Sequence, residues 1–116
     1  MELDILERTA IEALEDIKAK DIEVFDTTRL TPLFDRVIVA SADSGRQTRA
    51  LARSVHDKVK EAGGDIIGIE GEEGGDWVLV DLGSIVVHIM QPAVRTYYNI
   101  EELWNPQPGT RRQGAA

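Results

Sequence analysis

Apolar residues recur every three or four positions in two stretches of the chain, and this spacing predicts two amphipathic helices. The first helix is predicted over residues 2–20, and its apolar stripe comprises Leu6, Ala10, Ala13, Leu14 and Ile17. The second is predicted over residues 45–62, with an inward stripe of Leu51, Val55, Val59 and Ala62. A capping-box pattern from Ser44 to Gln47 marks the start of the second helix, and Gly63-Gly64 supplies a left-handed stop at its end.

Shorter apolar runs predict five strands, over residues 21–26, 35–40, 66–70, 76–82 and 85–90. The second and third of these flank the second helix, so we expect them to lie parallel and side by side through a right-handed connection. Pro92 is predicted to open a third helix over 92–98, and a last turn follows at 100–104. The predicted fold class is therefore α/β of the mixed α+β kind, with a mixed sheet of about five strands flanked by helices.

The hairpin around Gly83-Ser84 carries the most specific expectation. A glycine-first two-residue turn sets the register of its strands. One face then carries only aliphatic residues, which should meet the helices in the core: Val78, Val80, Leu82, Ile85, Val87 and Ile89. The opposite face pairs Trp77 with Met90, Leu79 with His88 and Asp81 with Val86. Large apolar side chains with a polar rim are typical of a protein-binding surface.

Composition and charge narrow the functional classes. The chain has 116 residues, about one domain, and it has no cysteine, which excludes a disulfide scaffold and a thiolate zinc site. The net charge of −8 argues against a partner that is mainly nucleic acid and favours a basic partner. The acidic, amphipathic start is unlike a signal peptide, and no apolar run approaches the ~20 residues of a membrane span. A soluble cytoplasmic protein without a membrane partner is expected.

Other kinds of site have weaker signals. His88 and Asp81 lack a third metal ligand at a characteristic spacing, so we expect neither a metal nor another cofactor. The segment Ser41–Arg46 lacks the glycine pattern and lysine of a phosphate-binding loop, which favours a plain helix cap formed by Asp43 and Ser44. Asp76 and Asp81 should point to opposite faces of their strand, and this weakens an enzymatic hypothesis. Residues 105–116 have no periodicity and are predicted to be a disordered tail after a domain spanning 1–104.

Three sequence elements in order carry a family resemblance. They are Glu-Gly followed by Trp77 after five residues, Val-Asp-Leu-Gly at 80–83 and Val-His-x-Met-Gln at 87–91, and the segment closes with Asn-Ile-Glu-Glu-Leu-Trp at 99–104. With these elements the chain resembles the ribosomal silencing factor family, RsfS, also called Iojap, over about residues 3–104. The resemblance implies a fold similar to that of nucleotidyltransferases, without their activity, and often a homodimer.

The same resemblance implies what the protein does. Members bind the large ribosomal subunit through its ribosomal protein fourteen and block joining of the small subunit, which lowers translation when nutrients fail. The family's contact region falls here on Trp77, Asp81, His88, Met90 and Tyr98, and Leu79 joins them on the hairpin. Two alternatives remain open. One is a residual nucleotide-binding domain of the nucleotidyltransferase type, and the other is a dimerisation module that buries the Trp77 face against a second copy.

Overall fold

The computed structural model of the protein describes residues 1–104, so the predicted tail at 105–116 lies outside the described residues. The helices and strands follow the predicted order closely. They are α1 (Leu3–Asp16), β1 (Lys20–Asp26), β2 (Arg36–Ser41), α2 (Gly45–Glu61), β3 (Gly68–Glu70), β4 (Trp77–Asp81), β5 (Ile85–Met90) and α3 (Pro92–Tyr98), with a closing 3-10 turn, η1 (Ile100–Trp104).

The five strands form one mixed sheet in the order β1-β2-β5-β4-β3. Among the strands of residues 1–104, β2 and β5 pair in parallel and the other neighbours are antiparallel. The predicted mixed sheet flanked by helices is therefore confirmed. The central strands β2 and β5 carry the longest apolar runs because both of their faces are covered over most of their length.

The prediction that the strands on either side of α2 lie side by side was wrong. β2 and β3 run in the same direction, but β5 and β4 lie between them. The physical reason is burial. β3 has three residues, all at least partly accessible, which suits a sheet edge, whereas the aliphatic β5 suits the centre beside β2.

Helix α1 ends at Asp16, four residues before the predicted boundary. The chain turns through Lys18, whose φ of 62° is left-handed. The Ala19 N–H donates to the Leu14 carbonyl at 3.0 Å and the Lys18 N–H to the Glu15 carbonyl at 2.9 Å, the pattern of a Schellman stop. Glycine usually occupies this position, so a stop at a lysine could not be predicted from the residue type. α2 ends in the same way at Gly63, as predicted.

Two apolar clusters lie on opposite faces of the sheet. The larger one packs α1 and α2 against the face that carries Val78, Val80 and Val87, as expected. The two helices are joined by the Ser54 hydroxyl, which donates to the Ala13 carbonyl at 2.8 Å. The smaller cluster lies under α3 and η1 and leaves much of the second face uncovered. None of the helices within residues 1–104 is long and apolar enough to cross a bilayer.

Candidate functional site

The second face of the hairpin carries the candidate site. The register of β4 and β5 pairs Trp77 with Met90, Leu79 with His88 and Asp81 with Val86, as predicted. A two-residue turn closes the hairpin, with the Leu82 N–H donating to the Ile85 carbonyl at 2.9 Å and Gly83 at a φ of 89°. We call the accessible part of this surface the hairpin face; it comprises Trp77, Leu79, Asp81 and His88, together with Tyr98 of α3.

Trp77 and His88 are joined across the two strands. The indole Nε1–H of Trp77 donates to Nδ1 of His88 at 3.0 Å. An indole nitrogen only donates, so Nδ1 must be unprotonated and the neutral ring carries its proton on Nε2. Burial lowers the pKa of His88 to about 4, which keeps this acceptor available at neutral pH. The hydrogen bond therefore holds the Trp77 ring in a set orientation.

An aromatic cluster extends from Trp77 onto α3. The ring centroids of Trp77 and Tyr98 are 5.1 Å apart, and those of Tyr98 and Tyr97 are 5.0 Å apart. Tyr97 is 81% exposed and Tyr98 56% exposed, so much of each ring is accessible at the surface. α3 begins at Pro92 and ends at Tyr98, and its C-cap residue, Asn99, has a left-handed φ of 47°. The short helix thereby sets Tyr98 against Trp77.

Asp81 marks the opposite end of the hairpin face. Its carboxylate accepts the Gly83 N–H at 2.8 Å, so it braces the turn while its side chain remains partly accessible. Beside it lies an open apolar groove of about 620 Å³, lined chiefly by Leu33, Phe34, Ile67, Leu79, Val86 and Trp104, with Glu70 and Asp81 as its acidic residues. Leu33 is 77% exposed and Ile67 67% exposed. Adjacent apolar residues in a loop, Leu33-Phe34, were the available signal for this groove.

Met90 lies beneath the hairpin face rather than on it. Its side chain is fully buried in the smaller cluster with Val37, Val39 and Ile100. Trp77 packs against the same cluster from the outside. Met90 therefore supports the ring of Trp77 and offers no surface of its own to a partner in this structure.

Arg95 is a residue that the sequence reasoning missed. Its guanidinium donates to the Ser41 hydroxyl at 2.7 Å and the Asp21 carbonyl at 2.8 Å, and it pairs with Glu101 at 3.0 Å. Glu23 lies at 3.5 Å from the same group. These contacts attach α3 and η1 to β1 and β2, and they thereby set the position of Tyr98, three residues along α3.

The start of α2 is occupied by groups of the protein itself. Ser44 accepts the Gln47 N–H at 3.1 Å, and the Gln47 side chain in turn accepts the Asp43 N–H at 3.0 Å. Asp43 pairs with Lys20 rather than capping the helix. Gly75 packs so tightly on this first turn that an added Cβ would lie 2.9 Å from the Cα of Gly45. This packing gives no support to the phosphate-loop alternative. Among residues 1–104 no group of three potential metal ligands is found.

Comparison with known proteins places this geometry in a family. The family model described as "Ribosomal silencing factor during starvation" matches residues 2–115. The ribosomal silencing factor RsfS of Chromobacterium violaceum is 60% identical over 116 residues, which are 100% of this chain and 95% of that protein. RsfS of Zymomonas mobilis is 35% identical over 101 residues, covering 87% of this chain and 76% of that protein.

A solved structure agrees with these matches. A crystal structure of a protein from Chromobacterium violaceum superposes with a TM-score of 0.89 at 58% sequence identity, covering 97% of this chain and 91% of that one. The predicted resemblance is thereby confirmed over the whole domain. By sequence and by fold, this chain belongs to the ribosomal silencing factor (RsfS) family.

Proposed function

We propose that the protein binds the large ribosomal subunit through ribosomal protein fourteen and blocks joining of the small subunit, which lowers translation when nutrients are scarce. The observation that carries this proposal is the hairpin face itself. It leaves the rings of Trp77 and Tyr98 and the side chain of Leu79 accessible on one half-covered sheet face, beside the acidic groups of Asp81 and Glu70. Membership of the silencing factor family supports the ribosome as the target.

The chemistry of the face suits a basic protein. Aromatic side chains held in place before binding lose little rotamer freedom on contact, so they are effective anchors. Carboxylates at the rim attract a cationic partner and orient its approach. The net charge of −8 adds a long-range attraction for the same positively charged partner.

The proposed mechanism is occlusion. A folded protein measuring 40 × 31 × 21 Å excludes any other structure from the space it occupies. When it is held on the joining surface of the large subunit, the small subunit cannot approach without displacing it. This mechanism requires binding and no catalytic step, and the silencing role that the family description names supports it.

Substitutions on the hairpin face test the proposal. Trp77→Ala should weaken co-sedimentation with purified large subunits about thirtyfold, since a central aromatic contributes ~2 kcal/mol at an interface. Ile5→Ala, at a residue 46% exposed on α1, is the matched control and should bind as wild type does. Asp81→Lys should weaken binding more than Asp81→Ala because it adds repulsion, and Asp4→Lys on α1 is its control. Subunit-joining assays should follow binding in each variant.

A double variant decides the matter. If Trp77→Ala with Asp81→Lys is folded and still co-sediments as wild type does, the hairpin face is not the ribosome contact. Analytical ultracentrifugation of the same variant then tests the second-copy alternative, which requires a dimeric wild type and a monomeric variant.

A further inference from the structure

Exposed basic residues form a line along α2. Arg46, Arg49, Arg53 and Lys60 follow one another at intervals of three, four and seven residues, and His56 fills the longest interval. At about 100° per residue, these five positions fall within roughly 80° of the helix circumference. The line extends about 21 Å along the axis, at 1.5 Å per residue. We call it the α2 ridge.

The charges of the ridge are largely uncompensated. Within residues 1–104, Arg46, Arg53 and Lys60 form no ion pair. Arg49 donates to the Glu72 carbonyl at 3.2 Å, a neutral acceptor that leaves its positive charge intact.

The other basic residues within residues 1–104 fall into two groups. Arg8, Lys18 and Arg29 are scattered along the chain and form no ion pair there. Lys20, Arg36, Lys58 and Arg95 all form ion pairs with carboxylates. Asp57 lies about 20° round the helix from Arg46, at the edge of the ridge. Its carboxylate contacts His56 at 2.9 Å. Four cations therefore stand together in a protein whose net charge is −8.

The ridge lies away from the hairpin face. The core stripe of α2, including Leu51, Val55 and Val59, packs on the opposite side of the sheet from Trp77. α1 packs along one flank of α2, where Lys58 pairs with Asp16 at 2.7 Å. The ridge occupies the other flank, so a protein bound to the hairpin face leaves it open to a second ligand.

We propose that the α2 ridge binds RNA phosphates of the large subunit while the hairpin face holds the ribosomal protein, an inference that rests on the proposed function above. Arginine forks match phosphate oxygens in pairs, and Arg46, Arg49 and Arg53 are spaced about 4.5–6 Å apart along the axis, within reach of successive phosphates. The ridge contains no apolar centre of the kind that protein interfaces use, which favours RNA over an acidic protein.

The overall negative charge explains why the ridge binds RNA only when the hairpin face is bound to the ribosomal protein. Free RNA is repelled by the remainder of the protein, so the ridge alone binds weakly. Once the hairpin face is docked, RNA beside it is present at a high effective concentration and four cations are sufficient. Binding at each surface thus raises the affinity at the other, although the two surfaces are not in contact.

The test compares two charge-matched triple variants of the full chain. The ridge variant carries Arg46→Gln, Arg53→Gln and Lys60→Gln; the control carries Arg8→Gln, Lys18→Gln and Arg29→Gln, three exposed residues on other elements. Each loses three positive charges. Dissociation constants for purified large subunits are measured from about 50 to 200 mM salt, and those for isolated ribosomal protein fourteen at one salt concentration.

The ridge variant should bind whole subunits about tenfold more weakly at 100 mM salt, with a log–log salt slope smaller by about 2.7, or 0.9 for each lost phosphate contact. Its affinity for the isolated ribosomal protein should equal that of the control. A photo-reactive residue in place of Arg53 should cross-link to RNA in subunit complexes. These results together support the inference.

Three results would overturn it. An unchanged salt slope in the ridge variant, or cross-linking from position 53 to protein alone, removes the RNA contact and leaves the proposed function intact. If wild-type protein fails to bind large subunits at all, both the proposed function and this inference are overturned.

Discussion

At the residue scale, the hydrogen bond from Trp77 to His88 determines how the hairpin face looks to a partner. The acceptor nitrogen of His88 exists only while the ring is neutral. Protonation of Nδ1 would place two donors face to face in a partly buried site. The orientation of the Trp77 ring is thus coupled to the protonation of one imidazole.

A pH dependence of stability follows from this pair. Burial lowers the pKa of His88 to about 4 in the folded protein, from an ordinary value of 6.5. The unfolded chain therefore binds the proton more tightly than the folded protein does. The contribution is fully present above pH 6.5 and is lost as the pH falls towards 4. Between pH 7 and pH 5 the free energy of unfolding should fall by about 2 kcal/mol from this residue alone.

Urea titrations of wild type and His88→Asn measure that contribution. The asparagine amide oxygen can replace Nδ1 as the acceptor but does not titrate. The wild type should therefore lose about 2 kcal/mol more than His88→Asn between pH 7 and pH 5. Equal losses in the two proteins would contradict the assignment of a buried neutral histidine.

Lys18 offers a prediction of the opposite sign. A side chain in the left-handed region costs roughly 1–2 kcal/mol, and glycine removes that cost while adding freedom to the unfolded chain. Lys18→Gly should stabilise the protein by about 0.5–1 kcal/mol, measured by urea unfolding. Lys18→Ala keeps the left-handed strain and should give no such gain.

Met90 shows where reasoning from strand alternation stops being sufficient. The alternation correctly placed it opposite Trp77, on the face away from α1 and α2. Its burial depends on α3 and η1 returning across the sheet, and no local pattern around residue 90 encodes that return. The hairpin register was predictable because a two-residue turn determines it, whereas the cover over one of its residues is a tertiary feature.

Met90→Ala should therefore destabilise the fold. Removing a fully buried methionine side chain costs about 2–5 kcal/mol, the range depending on how far the cluster collapses. Tyr97→Ala, at a ring 81% exposed, is the control and should unfold at nearly the wild-type urea concentration. A Met90→Ala midpoint equal to that of the control would show that the cluster tolerates the cavity.

At the element scale, α3 and η1 together span Pro92–Trp104, and one charged residue adds polar contacts to the apolar packing that attaches them to the sheet. Arg95 reaches Ser41, the Asp21 carbonyl and Glu101 from α3. Sequence reasoning could not find it because its partners lie up to 74 positions away in the chain. An arginine in a short helix is ordinarily interpreted as a solvent-exposed charge.

Arg95→Met removes the charge and keeps most of the side-chain volume. Glu101 and Glu23 then lose their shared partner, and the expected cost is about 3 kcal/mol of unfolding free energy. Because α3 positions Tyr98, near-UV circular dichroism of the Trp77 band should also change. Arg29→Met, at an exposed arginine, is the control and should alter neither signal.

The order of strands separates what periodicity can and cannot predict. Element types and most boundaries follow from hydrophobic spacing, glycine stops and Pro92. The neighbours of β2 cannot be predicted from this spacing, because a strand–helix–strand segment is compatible with any right-handed placement of its two strands in the sheet. The choice of β5 as its parallel neighbour reflects how much apolar surface each candidate strand has to bury.

At the scale of the whole molecule, the distribution of charge over the surface could not be predicted from composition. A net charge of −8 predicts a basic partner, and the hairpin face with its acidic rim agrees with that expectation. The same net charge gives no hint of a line of cations on α2, because a sum over the chain has no spatial content. The two surfaces lie on opposite sides of one sheet.

The net charge also makes a kinetic prediction for the proposed protein partner. Association with isolated ribosomal protein fourteen should slow as ionic strength rises, since steering by opposite charges is screened beyond about 8 Å at physiological salt. The dissociation rate should change little, because the aromatic contacts are not screened. Stopped-flow measurements of tryptophan fluorescence at several salt concentrations check both rates. An association rate independent of salt would contradict electrostatic steering.

The parallel pair of β2 with β5 has a consequence for how the chain folds. Arg36 pairs with Ile85 and Ser41 with Met90, so each partner lies 49 residues further along the chain. The hairpin of β4 and β5 closes over two residues and can form within microseconds, whereas β2 must wait for a long loop to close. During synthesis, β2 therefore emerges with one edge unpaired until the hairpin has left the exit tunnel. The sheet can therefore be completed only after β5, the last strand along the chain, has been synthesised.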